Sequence, residues 1–166
     1  MIGVARGAVI ALVVLLVAST ATAATKKLTL KSESVSSLNS SVLAAPNGRT
    51  LYRLSPETSK HVLCTTPCLK FWKPLTVKSK STTVKLPSGI RGKVGFLTRG
   101  KKFQVTLKGR PLYTFVGDTA TGQASGQNIK SFGGTWLVLM VKTSTTNGQP
   151  APAPPAPPPP YPPYNY

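Results

Sequence analysis

The chain has 166 residues, a formal charge of +18 and only three acidic side chains. This length suffices for one domain with a hydrophobic core but hardly for two, which excludes a large multidomain architecture. So positive a field favours anionic partners. Basic residues interleaved with exposed aromatic residues, which are typical of nucleic-acid recognition, are absent, so we expect no specific nucleic-acid partner.

The N-terminal segment has the three parts of a secretory signal peptide in order. Arg6 supplies the positive charge, residues 8–18 form an unbroken apolar run, and Ala21-Thr22-Ala23 offers the small residues that a signal peptidase recognises. We place cleavage after Ala23, with Ala24 as the alternative. The competing interpretation is an uncleaved membrane anchor, but a spanning helix needs about 20 apolar residues and this run is roughly half that length.

The predicted signal peptide sets the compartment of the mature chain. No cysteine lies near the cleavage site, so the lipid attachment used by bacterial lipoproteins is not expected, and no later segment is long and apolar enough to span a bilayer. We therefore expect a secreted or extracytoplasmic protein that is not lipidated. Its anionic partners would then be cell-wall polymers, acidic polysaccharides or anionic lipid head groups.

Composition divides the chain into four parts. After the signal peptide of residues 1–23, residues 24–40 are rich in Ser, Lys and Thr and read as a leader with one strand near residues 28–30. Residues 41–142 carry the predicted domain. Residues 143–166 are dominated by proline, which lacks a backbone donor and fixes φ, so this tail is predicted to be disordered or to sample an extended polyproline helix.

Local patterns within the domain predict strands. Asn47-Gly48 indicates a two-residue hairpin turn, because both residues tolerate positive φ. Residues 103–107 alternate apolar and polar side chains, as in a half-buried strand. The predicted strands span residues 41–45, 50–54, 93–98, 103–107, 111–116 and 136–141. With one short helix over residues 66–72, near the two cysteines, these elements predict an all-β fold of mainly antiparallel hairpins or a meander.

The chain contains an internal repeat. Residues 48–58 align without gaps on residues 109–119, and the Gly, Arg, Leu, Tyr and final Thr of the two segments are identical. Each segment is later followed by a tryptophan, Trp72 or Trp136. Repeated units of this kind usually bury their apolar faces against each other, so we expect one domain of two pseudo-equivalent halves. These halves span about residues 41–76 and 93–142.

The repeated tyrosines and acids admit two interpretations. In the first, the tyrosines pack inward, and the acids end their strands and accept free backbone N–H groups of the following turn. In the second, the two sets line a binding cleft. We favour the structural interpretation, because an identical site occurring twice in a small domain is unusual. The residues to which it assigns a structural role are Gly48, Tyr52, Glu57, Trp72, Gly109, Tyr113, Asp118 and Trp136.

The second repeat resembles a known family. The run Gly109-Arg-Pro-Leu-Tyr113-Thr-Phe-Val-Gly-Asp118-Thr is similar to the Tyr-x4-Asp signature of bacterial secreted-repeat proteins, many of which are predicted lipoproteins. Further similar pieces are Gly122-Gln123, Gly126-Gln127, Gly134-Thr-Trp136 and Cys64-Thr-Thr-Pro-Cys68-Leu-Lys-Phe-Trp72-Lys-Pro74-Leu. The resemblance covers about residues 39–141 and implies an exported β-repeat domain with no assigned reaction.

The chain departs from this family in two places. The first repeat has Glu57 where the motif has Asp, and the lipidated cysteine that is common in the family is missing. The second departure agrees with the expectation of a protein that is not lipidated.

Cys64 and Cys68 are the only cysteines. In an oxidising compartment an even count favours a disulfide, and positions four apart on a helical turn bring the Cα atoms to roughly 6 Å, within the disulfide range. A second interpretation adds His61, since one imidazole and two thiolates suit Cu(I) or Zn(II). A third is a redox dithiol, although the spacing differs from Cys-x-x-Cys.

The sequence offers no convincing catalytic set. His61 is the only histidine, and Gly-rich phosphate loops and nucleophile elbows are absent. Glu57 and Asp118 could meet across the pseudosymmetry as a carboxylate pair, but the surrounding Lys and Arg would hold both ionised. We therefore expect a protein that is not an enzyme and needs no cofactor.

Three functions follow in order of preference. The first is a non-catalytic secreted or envelope-associated β-domain that binds anionic surface or wall material through its basic face. The second is an extracytoplasmic copper-binding or thiol-redox protein that uses His61, Cys64 and Cys68. The third is catalysis by Glu57 and Asp118.

Overall fold

The computed structural model describes Gly3 and residues 26–142. Apart from Gly3, the predicted signal peptide and the predicted proline-rich tail lie outside these residues. The described part is built from short strands, which confirms the all-β prediction. The strands are β1 (Lys27–Thr29), β2 (Lys31–Val35), β3 (Ser40–Ala44), β4 (Tyr52–Ser55), β5 (Trp72–Pro74), β6 (Thr76–Val77), β7 (Thr83–Lys85), β8 (Val94–Arg99), β9 (Lys102–Leu107), β10 (Arg110–Pro111), β11 (Tyr113–Phe115), β12 (Lys130–Ser131) and β13 (Gly134–Val138).

A five-stranded antiparallel sheet in the order β12-β13-β4-β11-β5 holds the repeated motifs. Strands β4 and β11, one from each repeat, are neighbours, and Tyr52 lies opposite Tyr113. The other neighbour of β4 is β13, which carries Trp136, and the other neighbour of β11 is β5, which begins with Trp72. The tyrosine strand of each half therefore pairs with the tryptophan strand of the other half.

A second sheet forms around β9. Strand β8 pairs with β9 along its whole length, while β6 and β10 share the opposite edge. Because β9 has neighbours on both edges and packing on both faces, Gln104 and Thr106 are buried as well as Val105 and Leu107. The half-buried strand predicted from alternation is thus covered on both faces over most of its length.

The remaining strands form two small sheets at the start of the domain. Strands β2 and β3 form an antiparallel hairpin, and β1 pairs in parallel with β7. Leu30 and Val35 are buried in the two hydrophobic cores. The segment predicted as a leader therefore contributes two strands and core side chains, and the folded part begins earlier than composition indicates.

The repeated Leu-Tyr pair separates the two cores. Tyr52 and Tyr113 lie in a core with both tryptophans and both cysteines. Leu51 and Leu112, their neighbours in sequence, lie in a second core around β9. Since successive side chains of an extended chain point to opposite faces, this dipeptide anchors each repeat in both cores at once.

Several local features differ from the predicted elements. A turn forms here, closed by a hydrogen bond from the Gly48 N–H to the Ala45 carbonyl, but only Gly48 of the predicted pair has positive φ. The two strands then part after one bridge between Ala44 and Thr50, because β4 pairs with β11 and β13 instead. The predicted strand over residues 111–116 is broken at Leu112, whose N–H bonds to Val105 of the second sheet. The predicted helix is a single 3-10 turn, Cys68–Lys70, and a similar turn spans Ser36–Leu38.

Candidate functional site

A buried hydrogen bond joins the tyrosine of the first repeat to the acid of the second. Tyr52 Oη donates to Asp118 Oδ2 at 2.6 Å, and both side chains are fully buried. The other carboxylate oxygen, Oδ1, accepts the backbone N–H of Ser125 at 2.8 Å. The backbone N–H of Gly126 in turn donates to Tyr52 Oη at 3.3 Å. We call this arrangement the Asp118 clasp.

The reciprocal arrangement joins the tyrosine of the second repeat to the acid of the first. Tyr113 Oη donates to Glu57 Oε1 at 3.0 Å, and both side chains are again fully buried. The same oxygen accepts the backbone N–H groups of Leu63 and Cys64, each at 3.0 Å. Glu57 Oε2 is buried and has no hydrogen-bond partner in the described part of the chain. We call this arrangement the Glu57 clasp.

The two clasps have the same construction. In each, the acid accepts the backbone N–H of the residue seven positions later, Cys64 or Ser125, and so closes the loop that follows its strand. In each, it also accepts the hydroxyl of the other half's tyrosine. The motif residues therefore meet in pairs across the pseudosymmetry, and each carboxylate fixes a loop of its own half to a strand of the other.

Both tyrosine hydroxyls are held in the neutral form. Burial, followed by the hydrogen bond to Asp118 and its negative charge, raises the pKa of Tyr52 well above its ordinary value. Burial and the charge of Glu57 likewise raise the pKa of Tyr113, against an opposing effect of Arg99. A neutral phenol can donate its proton to a carboxylate, so the two clasps have the protonation state that their hydrogen bonds require.

The tryptophans stack between the clasps. The rings of Trp72 and Trp136 are parallel within 5°, with centroids 3.6 Å apart. Tyr52 packs edge-on to the first ring and Tyr113 edge-on to the second. The repeated Tyr and Trp therefore form one continuous aromatic core, with Phe115 adding a further ring beside Trp72 at 4.5 Å.

The motif glycines form the turns before each tyrosine strand. Gly48 has φ of +79° and Gly109 has φ of +72°, conformations that side chains with a Cβ adopt only with strain. The same backbone conformation therefore explains why both repeats have glycine at this position.

Sequence patterns did not point to the polar network beside the Glu57 clasp. Arg99 donates from Nη2 to Tyr113 Oη at 2.8 Å, from Nη1 to the carbonyl of Cys64 at 3.0 Å, and from Nε to Gln104 Oε1 at 2.8 Å. Gln104 also donates to the carbonyl of Leu112. Both residues lie outside the repeated motif and look like surface residues in a β-hairpin, so no local signal marks them.

The two cysteines form a disulfide, as predicted. The Cα atoms of Cys64 and Cys68 lie 5.2 Å apart, and both side chains are buried. His61 is exposed at the surface. Metal ligation or dithiol chemistry would require free thiolates, whereas both sulfurs are joined here. Within residues 26–142, no cluster of three or more His, Cys, Asp or Glu side chains could hold a metal ion.

The clasp acids lie away from the cavities. Glu57 and Asp118 have no exposed surface, and neither lines the pocket beside β2 and β3 or the pocket that contains Arg53 and Lys142. Every oxygen of Asp118 and one oxygen of Glu57 are engaged by donors of the fold itself. The carboxylates of both clasps are therefore closed to solvent.

A basic groove of about 720 Å³ includes Arg53, on the face of the five-stranded sheet opposite the aromatic core. Its charged lining consists of five cationic side chains, Arg53, Arg91, Lys108, Arg110 and Lys142, with no acid among the lining residues. Its apolar lining consists of Ile90, Leu107, Leu139 and Met140. We call this feature the basic groove. It combines residues of both repeats, and the concentration of one charge suits an anionic ligand.

Arg53, like Arg110, is a partly buried charge of the basic groove. It lies on β4 between two buried residues, Tyr52 and Leu54, and so points to the opposite face of the sheet from the aromatic core. Burial lowers the pKa of its guanidinium, and the positive charge of Arg110 lowers it further. Arg110 itself is anchored by a hydrogen bond from Nη1 to the backbone carbonyl of Glu57 at 3.2 Å.

The fold and the clasps define a two-repeat, all-β domain in which the halves exchange strands. Comparison with known families then identifies the repeat: residues 98–140 match a family described as a secreted repeat of unknown function. This match confirms the resemblance inferred from the motif residues. The match covers about a quarter of the chain and contains β11, Asp118 and Trp136.

No curated protein and no solved structure matches the chain. In residues 26–142, no helix has the length and apolar character needed to cross a membrane.

Proposed function

We propose that this protein is a non-catalytic extracellular β-domain that binds anionic cell-surface or wall polymers through its basic surface. The observation that carries this proposal is the separation of charges in the fold. Two of the three acids, Glu57 and Asp118, are fully buried, which leaves Glu33 as the acid with exposed surface. Apart from Arg6, every Lys and Arg lies between Lys26 and Lys142, within the folded part.

Burial of two of the three acids strengthens the positive electrostatic field around the protein. In most proteins exposed carboxylates are interspersed with lysines and arginines and shorten the reach of the positive charge. Here the described surface carries almost unopposed positive charge, and such a field raises the local concentration of polyanions and speeds their association. The family that residues 98–140 match is described as secreted, which supports polyanions outside the cell as the partners.

The absence of catalysis is part of the proposal. The repeated tyrosines and acids, which are the most conspicuous polar residues of the sequence, are used in the clasps. Their burial and hydrogen bonds supply a sufficient physical reason for the motif without a reaction. We also propose that the mature protein carries no lipid and is held at the surface by its charge.

Retention on polymer-coated beads tests the proposed function. The purified mature chain is applied at low ionic strength to beads carrying inorganic polyphosphate, beads carrying polygalacturonate, and control beads carrying neutral dextran. Retention on at least one anionic matrix, with release as salt is raised through about 0.1 to 0.5 M, is expected because salt screens charge–charge attraction. Passage through both anionic matrices at low salt would refute the proposal.

A further inference from the structure

We propose that the basic groove is the site that binds this polymer, and that it recognises the oxyanions, phosphate or carboxylate, of a linear surface chain. The inference rests on the proposed function and assigns it to one place on the molecule. The ligand chemistry is a flexible chain with repeated negative charges separated by uncharged units. Phosphodiester-linked polymers and polyuronates share this chemistry.

The walls of the basic groove are tied to the framework of the domain. Gly89 accepts a hydrogen bond from the backbone N–H of Lys142, and its missing Cβ leaves room for the carbonyl of that residue. Elsewhere in the lining, Lys108 donates its backbone N–H to the carbonyl of Lys93, and the aliphatic part of its side chain lies over Gly92. These contacts hold the groove open before any ligand arrives, which lowers the ordering cost of binding.

The charges of the basic groove call for an anion. Arg53 and Arg110 both line the groove, burial and then the positive charge of Arg110 lower the pKa of the Arg53 guanidinium, and no acidic side chain lines the groove to offset this. An oxyanion placed between them would remove the repulsion and accept paired, charge-assisted hydrogen bonds from the planar guanidinium groups.

The size and lining of the basic groove indicate a chain segment. A single small anion would leave most of the 720 Å³ empty and could not engage five cations. The four apolar side chains between the charges would contact the uncharged units of a polymer, and Met140, which is 45% exposed, offers a flexible surface to them. Repeated charge with apolar spacing therefore fits the lining better than an isolated ion does.

The basic groove breaks the pseudosymmetry of the fold. The alignment of the repeats places Thr114 at the position of Arg53 and Asn47 at the position of Lys108, whereas Arg110 aligns with Arg49. The groove consequently occurs once, although the motif that supports it occurs twice. A charge required only by the architecture would be expected in both halves, so the presence of Arg53 and Lys108 in one half alone favours a role in binding.

Two variants test the basic groove. In the first, Arg53→Gln removes a partly buried charge of the groove. Arg91→Gln together with Lys108→Gln removes two exposed charges of the groove without touching a buried group. The control, Lys101→Gln with Lys102→Gln, removes two exposed charges at the other end of β9. It changes the net charge of the chain by the same amount as the double groove variant. Affinity for soluble polyphosphate and polygalacturonate is measured by isothermal titration calorimetry, and folding by urea unfolding.

We expect each groove variant to lose about tenfold in affinity and the control variant less than about threefold, because charge-assisted hydrogen bonds exceed general attraction. Equal losses in the groove and control double variants would overturn the groove assignment while the proposed function stands. Failure of the unchanged protein to bind either polymer would overturn the proposed function itself. If Arg53→Gln does not fold, the exposed double variant decides alone.

The two polymers identify the source of the oxyanion. A loss by Arg53→Gln on both supports recognition of the oxyanion in general, and a loss confined to polyphosphate or to polygalacturonate supports the groove and assigns phosphate or carboxylate, respectively. A groove variant that binds both polymers as tightly as the unchanged protein overturns the inference.

Discussion

The Asp118 clasp and the Glu57 clasp perform the same task with different parts. In the Asp118 clasp both carboxylate oxygens are used, and its loop is closed further by the Gln123 side chain, which accepts the backbone N–H groups of Thr119 and Ala120. In the Glu57 clasp one oxygen takes all three donors, and a disulfide joins the loop instead.

Comparison of the two clasps shows which features the two halves share and which differ between them. Both halves retain a buried acid, a tyrosine from the other half and a stacked tryptophan. The length of the acid and the closure of the loop differ, and so does the charge on the opposite face of the sheet. The repeated tyrosines, acids and tryptophans are therefore used in the core, whereas residues without a counterpart in the other repeat, Arg53 among them, are available for function.

The largest expected effect comes from separating the halves. Both neighbours of β4, strands β11 and β13, belong to the second half. A chain of residues 24–92 alone should therefore fail to fold, because its tyrosine strand has no partner and its core is incomplete. Circular dichroism and urea unfolding would show this, with the mature chain as control. Cooperative unfolding of the isolated half would contradict the exchange of strands.

The stacked tryptophans test whether the halves are equivalent in the core. Trp72→Ala and Trp136→Ala each remove one ring of the stacked pair and leave a cavity, so each should cost about 3 to 5 kcal/mol of unfolding free energy. The two losses should be similar, since each ring also contacts one tyrosine edge-on. Urea midpoints at constant slope give the comparison. A marginal loss for either variant would show that the two halves do not share one core.

The acids should differ in their tolerance of an amide. Asp118→Asn places an amino group against either the Ser125 N–H or the Tyr52 hydroxyl, so a loss of about 2 kcal/mol is expected. Glu57→Gln can keep its oxygen at the three donors and turn its nitrogen to the unpartnered side, so a loss below about 1 kcal/mol is expected. Urea unfolding of both variants decides, and an equal loss would remove the distinction between the clasps.

The motif glycines should show a smaller difference. Gly109→Ala carries only the strain of positive φ, about 1 kcal/mol, because the nearest atom to a new Cβ is Ser59 Oγ at 4.0 Å. Gly48→Ala carries similar strain and also brings its Cβ against the Thr121 methyl group, so about 2 kcal/mol is expected. Thermal or urea unfolding measures both. A larger loss for Gly109→Ala would contradict the packing described for the two turns.

Part of this architecture could be predicted from the sequence. The alignment of the repeats predicts two equivalent halves, their glycine turns and the structural use of tyrosine and acid. The cysteine spacing and the predicted compartment together predict the disulfide. These signals are local or are repeated in the chain, so they can be recognised without knowing which strands pair.

The rest depends on contacts between distant residues. Exchange of strands between halves leaves no local signal, because β4 would show the same pattern with any partner. Gln104 and Arg99 are polar residues of a hairpin, so only the closure of β9 on both faces reveals the burial of Gln104 and its hydrogen bond with Arg99. The predicted leader lacks long apolar runs, yet Leu30 and Val35 suffice to fix it to the cores.

The division between scaffold and site can be tested on the two tyrosines. Tyr52→Phe removes the hydroxyl partner of Asp118 Oδ2, and Tyr113→Phe removes both the hydroxyl partner of Glu57 Oε1 and the acceptor of Arg99 Nη2. Each substitution should lower the unfolding free energy by about 2 kcal/mol. For both variants, polymer affinity measured by titration calorimetry well below the unfolding temperature should equal that of the unchanged protein. A loss of affinity with unchanged stability in either variant would contradict a purely structural role for the repeated motif and place the binding site at the clasps.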